Sequence, residues 1–145
     1  LARWPCTNVQ FAGGTALALQ LGHRTSLDFD FYSINHLDNK ELANKLSRVF
    51  SSDFKARENQ PKDTLFAEIA GIKISFFYYP YPPINNFVNF PPVRLASIED
   101  ISAMKIAAIV QRGKQRDFID LYYLINKVGL NNILENAYKK YPWYR

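Results

Sequence analysis

The sequence predicts an α/β fold in which a small mixed sheet with flanking helices is followed by a C-terminal helical bundle. Over residues 27–32, apolar residues alternate with aspartates, which is typical of a strand with one buried face. Over residues 39–50, apolar residues recur with the spacing of an amphipathic helix. From residue 97 onward, successive helical patterns are separated by glycines, which predicts a bundle after the sheet.

Local signals set the bounds of each element in turn. Gly22 ends the first helix, and Asp38 or Asn39 can cap the second. The pair Ala70-Gly71 is typical of a hairpin turn between two strands. The predicted elements are a helix over 15–21, a strand over 27–32, a helix over 39–50, strands over 64–70 and 72–79, and helices over 97–112, 117–128 and 131–141.

The remaining segments carry no regular pattern. Residues 1–10 are a lead-in, and the polar stretch 55–63 ends the second helix. Five of the eight prolines lie in 79–92, which predicts an extended connector there. We expect the 145 residues to form a single domain, with the sheet in about 11–92 and the helices in about 93–145.

Composition excludes several classes of protein. Cys6 is the only cysteine, so no disulfide can form within the chain, and a reducing cytoplasm is the expected location. One cysteine and two histidines do not provide the ligands of a structural zinc site. No apolar run approaches the ~20 residues of a membrane span. Because the sequence begins with Leu1, we expect it to be truncated at its N-terminus.

The formal net charge is +5, and the excess of basic residues lies in the last third of the chain. Residues 94–145 contain nine basic and five acidic side chains, and Arg112, Lys114 and Arg116 are clustered. Such a cluster suits a polyanionic partner such as a nucleotide or RNA. A similar balance also occurs in proteins that bind no nucleic acid, so charge alone leaves both interpretations open.

One short segment combines two features of phosphate chemistry. Asp28 and Asp30 share a face of the predicted strand, where they repel each other unless a cation lies between them, and Mg²⁺ prefers such oxygen ligands. Upstream, Gly13 and Gly14 allow a ligand to approach the backbone closely, and the helix that begins at Thr15 offers free N–H groups to an anion. Together these features predict a nucleotidyl-transfer site.

The same residues resemble the signature of the nucleotidyltransferase superfamily, Gly-Gly-Ser/Thr followed by Asp-apolar-Asp. Twelve residues separate Thr15 from Asp28. The run Gly-Gly-Thr-Ala-Leu-Ala-Leu over 13–19, with Arg24 and Ser26 downstream, resembles the AbiEii/AbiGii toxin family of bacterial type IV toxin–antitoxin and abortive-infection systems. A second block over 95–122 resembles the helical half of that family. The resemblance extends over about 11–141.

The resemblance implies a nucleotidyltransferase fold and a chemistry that uses an NTP with Mg²⁺ or Mn²⁺. The acceptor would be the hydroxyl of an RNA, such as tRNA, or of a protein, and a cognate antitoxin would be the partner. It implies the following site: catalytic Asp28, Asp30, Lys105 and Asp117, of which Asp28 and Asp30 bind the metal, and nucleotide-binding Gly13, Gly14, Thr15, Arg24, Ser26, Arg112 and Lys114.

The sequence pattern is compatible with more than one role for Arg24, Lys105, Asp117 and Asp120. Arg24 can neutralise a phosphate or pair with a nearby carboxylate. Lys105 interrupts an apolar stripe, so it either extends to the edge of the core or reaches into the nucleotide cleft. Asp117 either joins the active site or serves as a charge at the start of a helix. Asp120, on the same helical face, is a candidate for holding the basic turn over 112–116.

The sequence departs from the superfamily at the third carboxylate. Many members place another aspartate on a neighbouring strand, and Ser75 occupies that position here. Glu68 can compensate or can form a cross-strand pair with Lys73. A protein that keeps the fold and binds nucleotide or RNA without catalysis is therefore the alternative hypothesis. A third hypothesis is the modification of a small molecule such as an antibiotic at the same site.

Overall fold

The computed structural model describes residues 4–144 and has an α/β architecture, as predicted. Its strands are β1 (Gln10–Ala12), β2 (Phe29–Ser33), β3 (Phe54–Ala56), β4 (Thr64–Ile69), β5 (Ile72–Tyr78), β6 (Val88–Phe90) and β7 (Val93–Leu95). Its α-helices are α1 (Gly13–Leu21), α2 (Asn39–Phe50), α3 (Ile98–Gln111), α4 (Gln115–Val128) and α5 (Leu130–Lys140). None of these helices is long and apolar enough to span a membrane.

All seven strands form one mixed sheet in the order β3-β4-β5-β2-β1-β7-β6. β2 is antiparallel to β1 and parallel to β5, and β5 is antiparallel to β4. One row of paired residues therefore crosses four strands, from Ala12 through Asp30 and Ser75 to Phe66. This row connects the end of β1, where the glycine turn begins, with the far side of the sheet.

The two faces of the sheet differ as the alternation along β2 predicts. Phe11, Phe31 and Phe76 lie on adjacent strands and are almost fully buried, and Trp4 stacks on Phe31 with 4.8 Å between the ring centroids. Asp30 lies between Phe29 and Phe31 in sequence and so points to the opposite face. The aromatic face forms the core, and the other face is left for the cavity described below.

Side-chain caps fix the first residues of two helices, and the first of these caps was predicted. Asp38 accepts a hydrogen bond from the backbone N–H of Glu41 at the start of α2, at 3.1 Å. Ser97 accepts from the N–H of Asp100 at 3.0 Å, and its hydroxyl donates to the Asp100 carboxylate at 2.7 Å. Because α3 starts there, it packs against α1, α4 and α5 and carries Lys105 towards the sheet.

Every predicted element is present to within two residues, but four short strands were missed. β1 lies partly in the predicted lead-in, β3 begins just before the polar stretch, and β6 and β7 bracket the end of the proline-rich segment. Each has only three residues, too few for a two-residue period to emerge. The sheet therefore extends to Leu95, beyond the expected limit at 92. Leu27, expected on the buried face of β2, precedes that strand and is 74% exposed.

Candidate active site

A cavity of about 830 Å³ lies between the polar face of the sheet and the helices α1, α3 and α4. Its wall contains nine of the eleven site residues expected from the sequence, namely Gly13, Gly14, Thr15, Arg24, Ser26, Asp28, Asp30, Lys105 and Arg112. Asp117 is buried behind this wall, and Lys114 touches Asp117 through its backbone. Residues far apart in sequence thus meet at one place.

Asp28 and Asp30 are the acidic residues beside the glycine turn. Asp30 belongs to β2 and is partly buried, whereas Asp28 directly precedes that strand and is exposed. Burial raises the pKa of Asp30 above its ordinary value, and the negative charge of Asp28 raises it further, while Arg112, Arg116 and Lys105 oppose the increase. The repulsion between the two carboxylates is what a bound divalent cation would relieve.

A side chain on either glycine of the turn would press against a charged group of the site. Gly13 has φ of +78°, and a Cβ there would lie 3.2 Å from Oδ2 of Asp30. A Cβ on Gly14 would lie 2.2 Å from Nη2 of Arg24. Ala12, the residue before α1, provides no side-chain cap, so the first N–H groups of α1 remain available to an anion next to Asp30.

The Thr15 hydroxyl is engaged within the protein. It donates to the backbone carbonyl of Asp28. Since its single proton is used in that bond, the Ser26 hydroxyl donates to the Thr15 oxygen, at 2.5 Å. Thr15 and Ser26 therefore hold the segment that carries Asp28, and the contact that Thr15 can still offer a phosphate is its backbone N–H.

Two fully buried carboxylates of α4 organise the cations on the helical side. Nζ of Lys105 lies 3.1 Å from Asp117 and 2.9 Å from Asp120. Arg112 donates two hydrogen bonds to Asp117, each of 3.0 Å, and the backbone N–H of Lys114 donates a third. Burial alone would raise the pKa of Asp117, but Arg112 and Lys105 hold it below its ordinary value. Asp117 thus stays ionised and fixes both cations.

Asp120 makes a parallel set of contacts with the segment after α1. It accepts hydrogen bonds from Nε and Nη2 of Arg24, at 2.7 and 3.0 Å, and its Oδ1 lies 2.6 Å from Nε2 of His23. Burial opposes ionisation, yet the bonds from Arg24, Lys105 and His23 keep the pKa of Asp120 well below its usual range. Arg24 therefore pairs with a carboxylate, the second of its two alternatives. The basic turn that Asp120 was expected to hold is instead held by Asp117.

Sequence reasoning missed the role of His23. It was assigned no place in the site from the sequence, but its side chain is 1% exposed and contacts Asp120. The spacing of three residues between Asp117 and Asp120 did place both carboxylates on one helical face. No sequence signal connected either of them with residues 23 and 24, almost a hundred positions earlier.

The donor set fits a site with two carboxylates. Ser75 stands beside Asp30 in the parallel register of β2 and β5, where the superfamily pattern expects an aspartate. Within residues 4–144, no group of three or more His, Cys, Asp or Glu side chains is placed to hold a metal ion. Glu68 stands opposite Lys73 in the register of β4 and β5, one row away from Ser75, and the two side chains form no ion pair within 4.0 Å. Two carboxylates and one hydroxyl are enough protein ligands for Mg²⁺, because this ion usually keeps several of its water ligands.

Comparison with known sequences identifies relatives over most of the chain. A model of the family described as nucleotidyl transferase AbiEii toxin, type IV toxin–antitoxin system, matches residues 7–142. The Aquifex aeolicus protein aq_aa25 is 40% identical over 145 residues, and the match covers 94% of this chain and 68% of that protein.

Three solved structures share the fold at low sequence identity. The antibiotic-resistance factor ANT(2'')-Ia has a TM-score of 0.65 at 14% identity, over 94% of this chain and 83% of its own. JHP933 from Helicobacter pylori has a TM-score of 0.61 at 19% identity, over 99% and 73%. The Megavirus polyadenylate synthase has a TM-score of 0.59 at 16% identity, over 85% of this chain but only 29% of its own. The expected nucleotidyltransferase fold is thereby confirmed.

Proposed function

Because this chain belongs to the nucleotidyl transferase AbiEii toxin family of type IV toxin–antitoxin systems, we propose that its cavity transfers a nucleotidyl group from an NTP to an acceptor hydroxyl. The observation that carries the proposal is the meeting of Asp28 and Asp30 with the glycine turn at one end of the cavity. That arrangement brings a pair of metal-binding oxygens to the N-terminus of α1, where phosphates bind.

Each side chain then has a role that follows from its contacts. Asp28 and Asp30 would hold Mg²⁺ or Mn²⁺, which would supply Lewis-acid stabilisation of the phosphate charge during in-line displacement. The N–H groups at Gly13, Gly14 and Thr15 bind the β- and γ-phosphates. In the transfer, the acceptor oxygen bonds to the α-phosphorus, the bond from that phosphorus to the β-phosphate breaks, pyrophosphate leaves, and the hydroxyl proton passes to water.

The helical side of the cavity supplies positive charge. Arg24, Lys105 and Arg112 face two carboxylates, Asp117 and Asp120, so the network keeps one net positive charge. The buried carboxylates also fix the positions of these cations, which lowers the cost of ordering them around a triphosphate. In this proposal Lys105 and Arg112 contact phosphate, whereas Asp117 and Asp120 position them.

A second candidate function is nucleotide or RNA binding without catalysis. Ser75 favours it, because a hydroxyl beside Asp30 contributes no negative charge to a second metal ion. The two hypotheses share every other contact of the cavity. They differ in whether an acceptor becomes covalently modified.

The family also supports proposals about context. We propose a cognate antitoxin as the protein partner, since the family is defined by type IV toxin–antitoxin systems. We further propose a cytoplasmic location, where NTPs are present and the free, buried Cys6 stays reduced.

The direct test is incubation of the protein with each labelled NTP, magnesium and total tRNA, followed by mass analysis of the RNA, the protein and small molecules. We expect one species to gain a nucleotidyl group in the wild type and none to gain it in the Asp28→Asn, Asp30→Asn double variant. Binding of an NTP without any labelled product would favour the non-catalytic alternative. Equal labelling by both proteins would exclude this cavity as the active site.

A further inference from the structure

The cations that line the cavity fall into two groups. On the helical side, Arg24, Lys105 and Arg112 are paired with buried carboxylates, whereas Arg116 is exposed and has no carboxylate of residues 4–144 within 4.0 Å. Those on the sheet side are Lys55, Arg57 and Lys73, which we call the sheet-edge cations. All three are exposed, and among residues 4–144 no carboxylate lies within 4.0 Å of their charged nitrogens.

The sheet-edge cations lie close to the metal-binding carboxylates. Phe66 is two strands away from Asp30 in the same row of the sheet, about 10 Å at the usual strand spacing. The next row contains Lys73, Glu68 and Lys55 on three adjacent strands. A ligand that extends from Asp30 towards the β3 edge therefore meets Phe66 and this row of charges.

Arg57 is held in place before any ligand binds. Its guanidinium carbon lies 4.5 Å from the centroid of the Phe66 ring, and its backbone N–H donates to the Phe66 carbonyl at 3.0 Å. The Gln60 side chain donates to the carbonyls of Arg57 and Phe66 and accepts from the N–H of Phe66. A guanidinium held over an aromatic ring in this way is a planar group kept in place, which is suited to stacking with a nucleobase.

We propose that the sheet-edge cations and Phe66 form the binding wall for the acceptor, and that this acceptor is a single-stranded nucleic acid. The inference rests on the proposed function, since it assigns the second substrate of the same cavity. In this proposal, phosphates of the nucleic acid contact Lys55 and Lys73, and one of its bases stacks on Arg57. Because Glu68 offsets one of the three positive charges, the net charge of the wall is +2. The Glu68 carboxylate accepts a hydrogen bond from a ribose hydroxyl or a base amino group.

A nucleic acid fits this wall better than a protein acceptor does. The unpaired charges recur across neighbouring strands, which matches a chain of regularly spaced phosphates. The Arg57–Phe66 cation–π pair matches the π-face that every base presents and that most peptide side chains lack. The cations on the helical side, Arg116 included, are left to the triphosphate of the NTP, so the two substrates occupy opposite walls.

The test is the binding of a fluorescently labelled, 12-nucleotide single-stranded RNA, followed by anisotropy over a range of KCl concentrations. In the wall variant, Lys55→Gln, Arg57→Gln and Lys73→Gln are combined. The control variant combines Lys40→Gln, Arg48→Gln and Lys127→Gln, which removes the same charge from exposed positions outside the cavity. If the loss of Arg57 from Phe66 destabilises the wall variant, the Lys55→Gln, Lys73→Gln double variant replaces it.

We expect the wall variant to bind at least tenfold more weakly and the control to stay within twofold of the wild type. Each lost phosphate contact reduces the steepness of log K against log salt by about 0.7 for a single strand, so the loss of the Lys55 and Lys73 contacts should reduce it by about 1.4. Equal binding by wild type and wall variant would overturn the proposal, as would equal losses in both variants. The proposal also fails if labelled NTP modifies only protein and the RNA does not bind.

A separate measurement distinguishes this failure from failure of the proposed function. The stabilisation of the wild type by magnesium and NTP is recorded on the same preparation. If that stabilisation is present and RNA binding is absent, the acceptor wall is wrong and the nucleotide site stands. If RNA binds at the wall and magnesium–NTP has no effect, the wall stands and the proposed function is wrong.

Discussion

Replacing Asp120 with asparagine tests whether the buried network supports both the fold and the nucleotide site. Asp120 is fully buried and contacts Arg24, Lys105 and His23 at 2.6–3.0 Å. Asparagine has nearly the same shape, but it carries no charge and presents an amide donor to groups that are themselves donors. The variant therefore leaves buried positive charge without its partner.

Removing one partner of a buried ion pair costs about 3–5 kcal/mol. The lower end applies here because the Arg24 side chain is 19% exposed and can regain some hydration. A loss of about 3 kcal/mol corresponds to a melting temperature lower by roughly 6–12 °C in a domain of this size. We also expect weaker stabilisation by magnesium–NTP, because Lys105 and Arg24 lose their fixed positions.

Thermal melting monitored by circular dichroism at pH 7 and at pH 3 measures this effect. The folded pKa of Asp120 lies below its unfolded value, so its stabilising contribution is present above about 3.9 and is lost as the pH falls through the folded pKa. The difference in melting temperature between wild type and Asp120→Asn should therefore be smaller at pH 3 than at pH 7. Asp63→Asn, at the exposed pair with His36, is the matched control and should cause a clearly smaller drop. If Asp120→Asn melts no lower than that control at pH 7, the network does not have the proposed role.

Three further substitutions have defined outcomes. Asp30→Asn should raise the melting temperature of the metal-free protein at pH 7, because the raised pKa of Asp30 means that its ionised carboxylate destabilises the folded state above that pKa. The gain should vanish near pH 3, where the carboxyl group is protonated, and a gain that persists there would contradict this explanation. Ser75→Asp should tighten magnesium binding in calorimetry by adding an anionic ligand next to the existing pair, and unchanged affinity would place the third ligand elsewhere. Lys105→Met should lower both the melting temperature and the NTP affinity, since two buried carboxylates lose a shared cation; a wild-type melting curve would show that the cation is dispensable for folding.

The parts of the fold that the sequence predicts are those with long or strongly marked patterns. The helix over 39–50 has a clear amphipathic period and an aspartate cap, and both are confirmed. The hairpin around Ala70-Gly71 is confirmed with the Glu68–Lys73 pairing that its two-residue turn dictates. By contrast, β6 and β7 exist because they pair with each other and β7 pairs with β1, a tertiary effect that leaves no local periodicity.

The site divides in the same way. The cluster of Asp28 and Asp30 with Gly13 and Gly14 is local in sequence, so spacing alone brings these residues together. The pairing of Arg24 with Asp120 joins segments 96 residues apart, and it depends on how α4 packs beside α1. Single-sequence patterns do not encode such a contact, and for this reason the choice between phosphate and carboxylate for Arg24 required the structure.

The most direct test of the central claim is the melting shift that magnesium–NTP produces in the wild type and in the Asp28→Asn, Asp30→Asn double variant. A ligand present at 100 times its Kd stabilises the folded state by about 2.7 kcal/mol, which is easily measured as a rise in melting temperature. We predict this rise in the wild type with at least one NTP, dependence on magnesium, and no rise in the double variant, which should itself fold. An equal rise in both proteins would contradict the assignment of Asp28 and Asp30 as metal ligands.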